Sequence, residues 1–220
     1  MNYYNPYIEN DVQERRITEL FQESVITAYK EDSINFSSFD LIVVFHAGIG
    51  QDFSLPFLDP TPEDIPSTYI DQKMISDNLN QAGIAIGEHL IDRGIILPES
   101  QNHLLYDIAE SMFGDATDPC EYQYGLTGTF ALMVGFAIGL PPLWNIESGE
   151  SRVGVFGLMD QGSNNGRGFI PAPPTAWSRI YAGWEAPVEP DFNSEMYLPL
   201  RDDGNTVSYT HLRAHETIPD

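Results

Sequence analysis

The chain has 220 residues, 42% of them hydrophobic and 12% aromatic, which suits one packed domain and argues against a disordered chain. Asp and Glu number 33 against 10 Lys and Arg, a formal net charge of −23. A surface that acidic repels nucleic-acid phosphates and anionic membranes, so neither is expected as a partner, whereas solubility, a saline habitat or scattered calcium binding would fit. The single cysteine, Cys120, can form no intrachain disulfide and reads as a buried small residue. No apolar leader follows Met1, so no signal peptide is expected, and the apolar run 129–140 is too short to span a bilayer.

In chain order, "DVQERRITELFQESVITAYK" (11–30) carries apolar residues at helical spacing and predicts an amphipathic helix. "FDLIVVFHAGIG" holds the apolar run 41–45 closed by Gly48 and Gly50, and predicts a buried central strand. Residues 51–66 hold four prolines and several carboxylates and read as a long loop. Two β-rich runs, 84–91 and 95–97, flank Asp92-Arg93-Gly94 and read as a hairpin. "NHLLYDIAESMFG" predicts a helix with a glycine stop, and 128–138 a second, strongly apolar one. After Trp144 the chain is rich in Gly, Pro and Asn, with a short strand expected near 153–156 and a short helix in "TAWSRIYAGW". The expected fold class is α+β: a mixed twisted sheet backed by helices, with the 128–138 helix buried at its centre.

Three stretches carry a resemblance. "LIVVFHAGIGQ" is similar to the strand and His-Ala-Gly turn of the immune inhibitor A-like metalloproteases, family six of the metallopeptidases. "GTFALMVGFAIGLPPLW" resembles that family's zinc helix, Gly-Thr-x-x-His-Glu-x-Gly-His-x-x-Gly-Leu-Pro-Asp-Leu-Tyr. "GVFGLMDQGSNNGRGFIPAPPTAWSRIYAGW" resembles its Met-turn and the Pro-x-x-Trp-x-(Lys/Arg)-x-x-x-Gly-Trp stretch that follows. The resemblance spans about residues 40–188 and implies a zincin-like domain.

In an H-E-x-x-H helix, two histidines one turn apart bind one zinc, and the Glu takes a proton from zinc-bound water. By the resemblance the first His falls on Leu132, the Glu on Met133, the second His on Phe136 and the Asp ligand on Pro142. Met159 keeps the Met-turn position. Leu, Phe and Pro offer no donor atom, and a thioether is a poor zinc ligand. Without zinc, water keeps a pKa far above the value of about 7 that a catalytic zinc gives it. Gly135, Gly139, Leu140 and Pro141 all match between the changed positions, so the changes read as a repacked core, with Leu132, Met133 and Phe136 filling a former metal cavity. Zinc is therefore expected to be lost, and no catalytic residue is assigned.

Other candidates carry less. His46, at a strand end, reads as a hydrogen-bonded structural histidine rather than a ligand. Glu88-His89 invites comparison with an inverted H-x-x-E-H motif, but Ala85 stands where the first His belongs. His103 reads as a helix-start residue. "DQGSNNGRG" (160–168), with Asp160 and Asn164, and "DPTPED", with Asp59 and Asp64, are weak calcium candidates that lack a full calcium-loop register. No G-x-S-x-G elbow and no phosphate-binding glycine loop is present.

The end of the chain stands apart. "VSYTHLRAHET" (207–217) resembles the translation of a transposase-type sequencing-adapter DNA. The expected domain is therefore 1–206, with 207–220 an artefact and His211 and His215 set aside. The expected function is a catalytically inactive metalloprotease-like domain, a structural or peptide- or protein-binding module of a larger exported protein. Extracellular or cell-surface placement follows from the resemblance alone. Two alternatives remain: an active zinc peptidase drawing on His46, His89 and His103, and a calcium-dependent adhesion or carbohydrate-binding module using the acidic loops.

Overall fold

The computed structural model describes residues 10–52, 64–101 and 124–187. Asp59, His103, Cys120, His211, His215 and the helix expected in "NHLLYDIAESMFG" lie outside these residues.

Helix α1 runs Asn10–Asp32. Ile17, Phe21 and Val25 repeat every four residues and are buried, which gives the helix one apolar stripe. Thr18 is buried on it too, its hydroxyl donating to the Glu14 carbonyl at 2.7 Å so that no polar atom is stranded. Strand β1 (Val43–Ile49) follows, then β2 (Thr68–Ile70) and helix α2 (Gln72–Leu79). The Asp71 carboxylate caps α2 by accepting from the Met74 N–H at 2.7 Å, and Asn80 ends it in the left-handed conformation. Strands β3 (Ile84–Ile86) and β4 (His89–Ile91) precede β5 (Gly94–Ser100). Helices α3 (Thr127–Ala137) and α4 (Ala176–Tyr181) complete the order, joined by a long segment built of turns and short 3-10 pieces.

The described sheet has the order β1-β5-β2, with β5 parallel to β1 and antiparallel to β2. Its two faces are covered separately, and β5 alternates between them. Ile96 joins Phe21, Val25, Ile70 and Ile75 beneath α1 and α2, while Ile95 and Leu97 meet Ala137, Met133 and Val134 of α3. The sheet is thus the middle layer, and α3 is seated across its second face. The architecture is mixed α and β with a small sheet, as expected from the residues.

Three expectations are corrected. The central strand is β5, not the 41–45 run: "GIILP" is buried residue for residue, whereas β1 is half-exposed, with Phe45 at 57%. Both runs are apolar, and among the described strands only β5 has a strand on each side and a helix layer on each face. The hairpin closes at Gly87-Glu88 between β3 and β4, while Asp92-Arg93 merely leads into β5. The strand expected near 153–156 is a 3-10 turn, Gly154–Phe156, because a single carboxylate gathers its backbone N–H groups, as described below.

Candidate functional site

Helix α3 begins without a side-chain cap. Its entry is fixed from outside, where the Gly125 and Gly128 N–H groups donate to the carbonyls of Arg167 and Gly168, each at 2.8 Å. Those contacts bring the glycine-rich 157–168 segment directly onto the helix. Gly128 and Gly135, seven residues apart, lie on one face and make the approach possible. A methyl group on Gly128 would land on the Ser163 carbonyl oxygen, and one on Gly135 would stand 2.5 Å from the Met159 sulfur. Met159 is fully buried against this helix.

The four positions singled out by the resemblance do not share one environment. Leu132 and Phe136, one turn apart, pack with Ala131, Leu143 and Ala182 around Leu140, Leu158 and Met159. Phe136 also stacks on Tyr69 of β2 (centroids 6.1 Å apart, planes at 23°) and meets Trp144 edge-on at 5.8 Å. Met133 turns the other way, toward Ile95 and Leu97 of the sheet. The three side chains expected to fill one cavity are thus parted, Leu132 and Phe136 on one side of the helix and Met133 on the other. A step of one residue swings a side chain about 100° around a helix, so Leu132 and Met133 cannot share a face. Pro142 is half-buried in the turn after α3, next to Leu143, whose N–H donates to the Met159 carbonyl at 2.8 Å.

Beside this packing an open cleft of about 410 Å³ remains, lined by Asp52, Leu132, Trp144, Gly149, Asp160, Gln161, Ser163 and Asn164. Asp52 anchors one wall. One of its oxygens accepts from the Ser67 N–H at 2.7 Å, the other from the Ser67 hydroxyl and the Gln101 amide, both at 2.6 Å. Gln101, itself buried, also reaches Thr129 of α3 at 3.1 Å. One carboxyl therefore ties the end of β1, the approach to β2, the end of β5 and α3 together. Burial pushes the Asp52 carboxyl above its ordinary value of 3.8, against the opposing pull of Ser67, Gln101 and nearby His46.

Asp160 forms the opposite wall and is only 4% exposed. Its Oδ2 accepts from the Ser151 hydroxyl and the N–H groups of Arg152, Val153 and Gly154, at 2.8–3.1 Å, and Oδ1 accepts from the Gln161 N–H at 2.8 Å. Burial acts to raise this group. The donors from Val153, Arg152, Gln161 and Ser151 outweigh it and hold the carboxyl below 3.8. With five donors on two oxygens, Asp160 is an anion already satisfied by its own loop.

Of the sequence candidates, the structure brings Leu132, Asp160 and Asn164 into one cleft and leaves Asp64 outside its lining. His46 has one ring nitrogen 3.1 Å from the Ala47 carbonyl and the other 3.2 Å from the Ile65 carbonyl, and a neutral ring donates to only one of them at a time. His89 lies exposed on β4, beside a different and smaller depression near Asp92 and Arg93. Among the described residues, no three His, Cys, Asp or Glu side chains come close enough together to hold a metal ion. Nor does any described helix have the length and apolarity to cross a membrane.

Sequence reasoning missed Asp52, Ser67, Gln101 and Trp144. Asp52 immediately follows the first resembling stretch, and Trp144 ends the second; only their partners, far along the chain, give them meaning. Comparison with known proteins adds no relative, since no family model, curated protein or solved structure matches the chain.

Proposed function

We propose that the chain is a non-catalytic metalloprotease-like domain, a structural or peptide- and protein-binding module of a larger exported protein. The observation that carries this reading is the packing of Leu132 and Phe136 against the buried cluster of Leu140, Leu158 and Met159, with Phe136 also meeting the rings of Tyr69 and Trp144. By the sequence resemblance those two positions belong to the zinc histidines. Their side chains carry no lone pair to offer a metal, and they pack against the cluster that contains Met159, the residue the resemblance places beneath it. No carboxylate stands at Met133 to serve as general base, since Met133 faces the sheet.

Binding without catalysis is supported by the remaining cleft, which Leu132 of this packed cluster lines together with Trp144. Beside it lies β2, which pairs on one side with β5 and has no second neighbour among the described strands. Such an edge can add an extended peptide through main-chain hydrogen bonds. Incubation with quenched fluorescent peptides and excess zinc tests the catalytic half of the reading. No cleavage above buffer is expected; cleavage that a chelator abolishes would refute it.

A further inference from the structure

The glycine-rich segment that fixes the entry of α3 contains Asn165-Gly166, the one Asn-Gly pair in the chain. A glycine after asparagine leaves its own backbone nitrogen free to approach the asparagine amide carbon, since no Cβ stands in the way. Gly166 is exposed and holds φ at +55°, and among the described residues nothing accepts its N–H. The attacking nitrogen therefore lies at the surface and gives up no hydrogen bond within the protein. The Asn165 side chain is restrained by one surface contact, its Nδ2 donating to the Val155 carbonyl at 2.9 Å. The Asn165 carbonyl accepts from the N–H groups of Gly168 at 3.0 Å and Ile170 at 3.2 Å. Ring closure swings that carbonyl away from both, so it needs the turn to open locally. Those contacts belong to a turn outside the helices and strands, the kind of segment that opens at the least cost.

We propose that Asn165 is a site of spontaneous modification to aspartate and isoaspartate, and that the isoaspartate form loosens the hold of this segment on α3. In the first step a bond forms between the Gly166 nitrogen and Asn165 Cγ, and the Cγ–Nδ2 bond breaks. The Gly166 proton passes through solvent to Nδ2, which leaves as ammonia. Water then opens the succinimide: at Cγ it yields aspartate, at the main-chain carbonyl it yields isoaspartate. Nothing is oxidised or reduced, and water is the only co-reactant. In isoaspartate the main chain runs through Cβ and Cγ, one methylene longer, and the carbonyl that held Gly168 and Ile170 becomes a carboxylate. Just beyond it, the Arg167 and Gly168 carbonyls accept from the Gly125 and Gly128 N–H groups, each at 2.8 Å. A longer chain ahead of these two carbonyls shifts them off the start of α3. Asn164, on the other side of the modified bond, lines the cleft, so the change reaches the cleft wall too.

The test ages the full chain in mildly alkaline buffer, where loss of the Gly166 proton is faster, and follows each asparagine by peptide mapping with mass spectrometry. Isoaspartate is identified by labelling with a protein-isoaspartate methyltransferase. Asn165 is expected to convert at least about tenfold faster than any other asparagine. The aged chain is expected to exchange the Gly125 and Gly128 amide hydrogens faster than the fresh chain by about tenfold, and an Asn165→Gln variant aged alongside should show no such change. Conversion at Asn165 no faster than at other asparagines overturns the modification site. Unchanged exchange at Gly125 and Gly128 in fully converted chain overturns its link to α3.

Discussion

Asp52 and Asp160 line one cleft and are held there by opposite balances, which gives them opposite signatures in pH. Asp52 binds its proton more tightly in the folded chain than in the unfolded one. The stability it contributes is therefore full below about 3.8 and is lost as pH rises through its raised folded value. Asp160 is depressed, so its contribution is present above about 3.8 and is lost as pH falls through the lower folded value. Urea unfolding from pH 3 to 7 separates the two. Asp52→Asn, in which Ser67 and the Gln101 amide can turn to accept the new N–H groups, should remove the loss between acid and neutral pH. It should leave the variant at least as stable as the parent at pH 7. Asp160→Asn can keep a carbonyl oxygen on the N–H groups of Arg152, Val153 and Gly154 only by setting its NH2 against the Gln161 N–H, and with the loss of the negative charge should cost about 2–4 kcal/mol at neutral pH. An Asp52→Asn variant less stable at every pH would show that the carboxylate, not the acid, holds the network.

At the scale of elements, α3 decides where everything else near the cleft can sit. Its sheet side carries Met133, Val134 and Ala137, its other side Leu132 and Phe136, and its glycines admit the 157–168 segment. Gly128→Ala pushes a methyl into backbone, which cannot swing aside, and should cost at least about 3 kcal/mol in urea unfolding. Gly135→Ala presses on the flexible end of Met159 and gains helix propensity, so its cost should stay within about 1–2 kcal/mol. Equal costs for the two would mean the segment is not clamped at Ser163. The presence of α1, α3 and α4 was legible from local signals: the 17-21-25 stripe, the apolar run ending at Gly139, and the "TAWSRIYAGW" stretch, where the structure shows Thr175 capping the helix by accepting from the Ser178 N–H at 3.1 Å. Strand order was not legible. The runs at 41–45 and 95–97 are both apolar, and only the pairing of β5 with β1 on one side and β2 on the other, both distant in sequence, tells the centre from the edge among the described strands. The helical turn Gly154–Phe156 was hidden for a related reason, since Asp160 organises it from beyond its own end.

Across the whole molecule, the sheet separates a mechanical half from a half that holds the candidate site. The α1–α2 side is a continuous apolar layer. The α3 side holds the cleft, the edge strand β2 and the packed cluster at Leu132, Phe136 and Met159. The resemblance picked out Leu132, Phe136 and Met159, and the first two share a face because they lie four residues apart on one helix. It could not reveal the cleft wall at Asp52, which depends on Ser67 and Gln101 arriving from separate strands. Under the proposed reading, apolar packing stands at this helix in the place of metal chemistry. Its most direct test is zinc content by elemental mass spectrometry, after equilibration of the purified chain with zinc and removal of the excess. Packing of the kind described predicts less than about a tenth of an equivalent, because a site without donor atoms does not retain zinc. A value near one equivalent, lost when His46 or His89 is replaced, would contradict it.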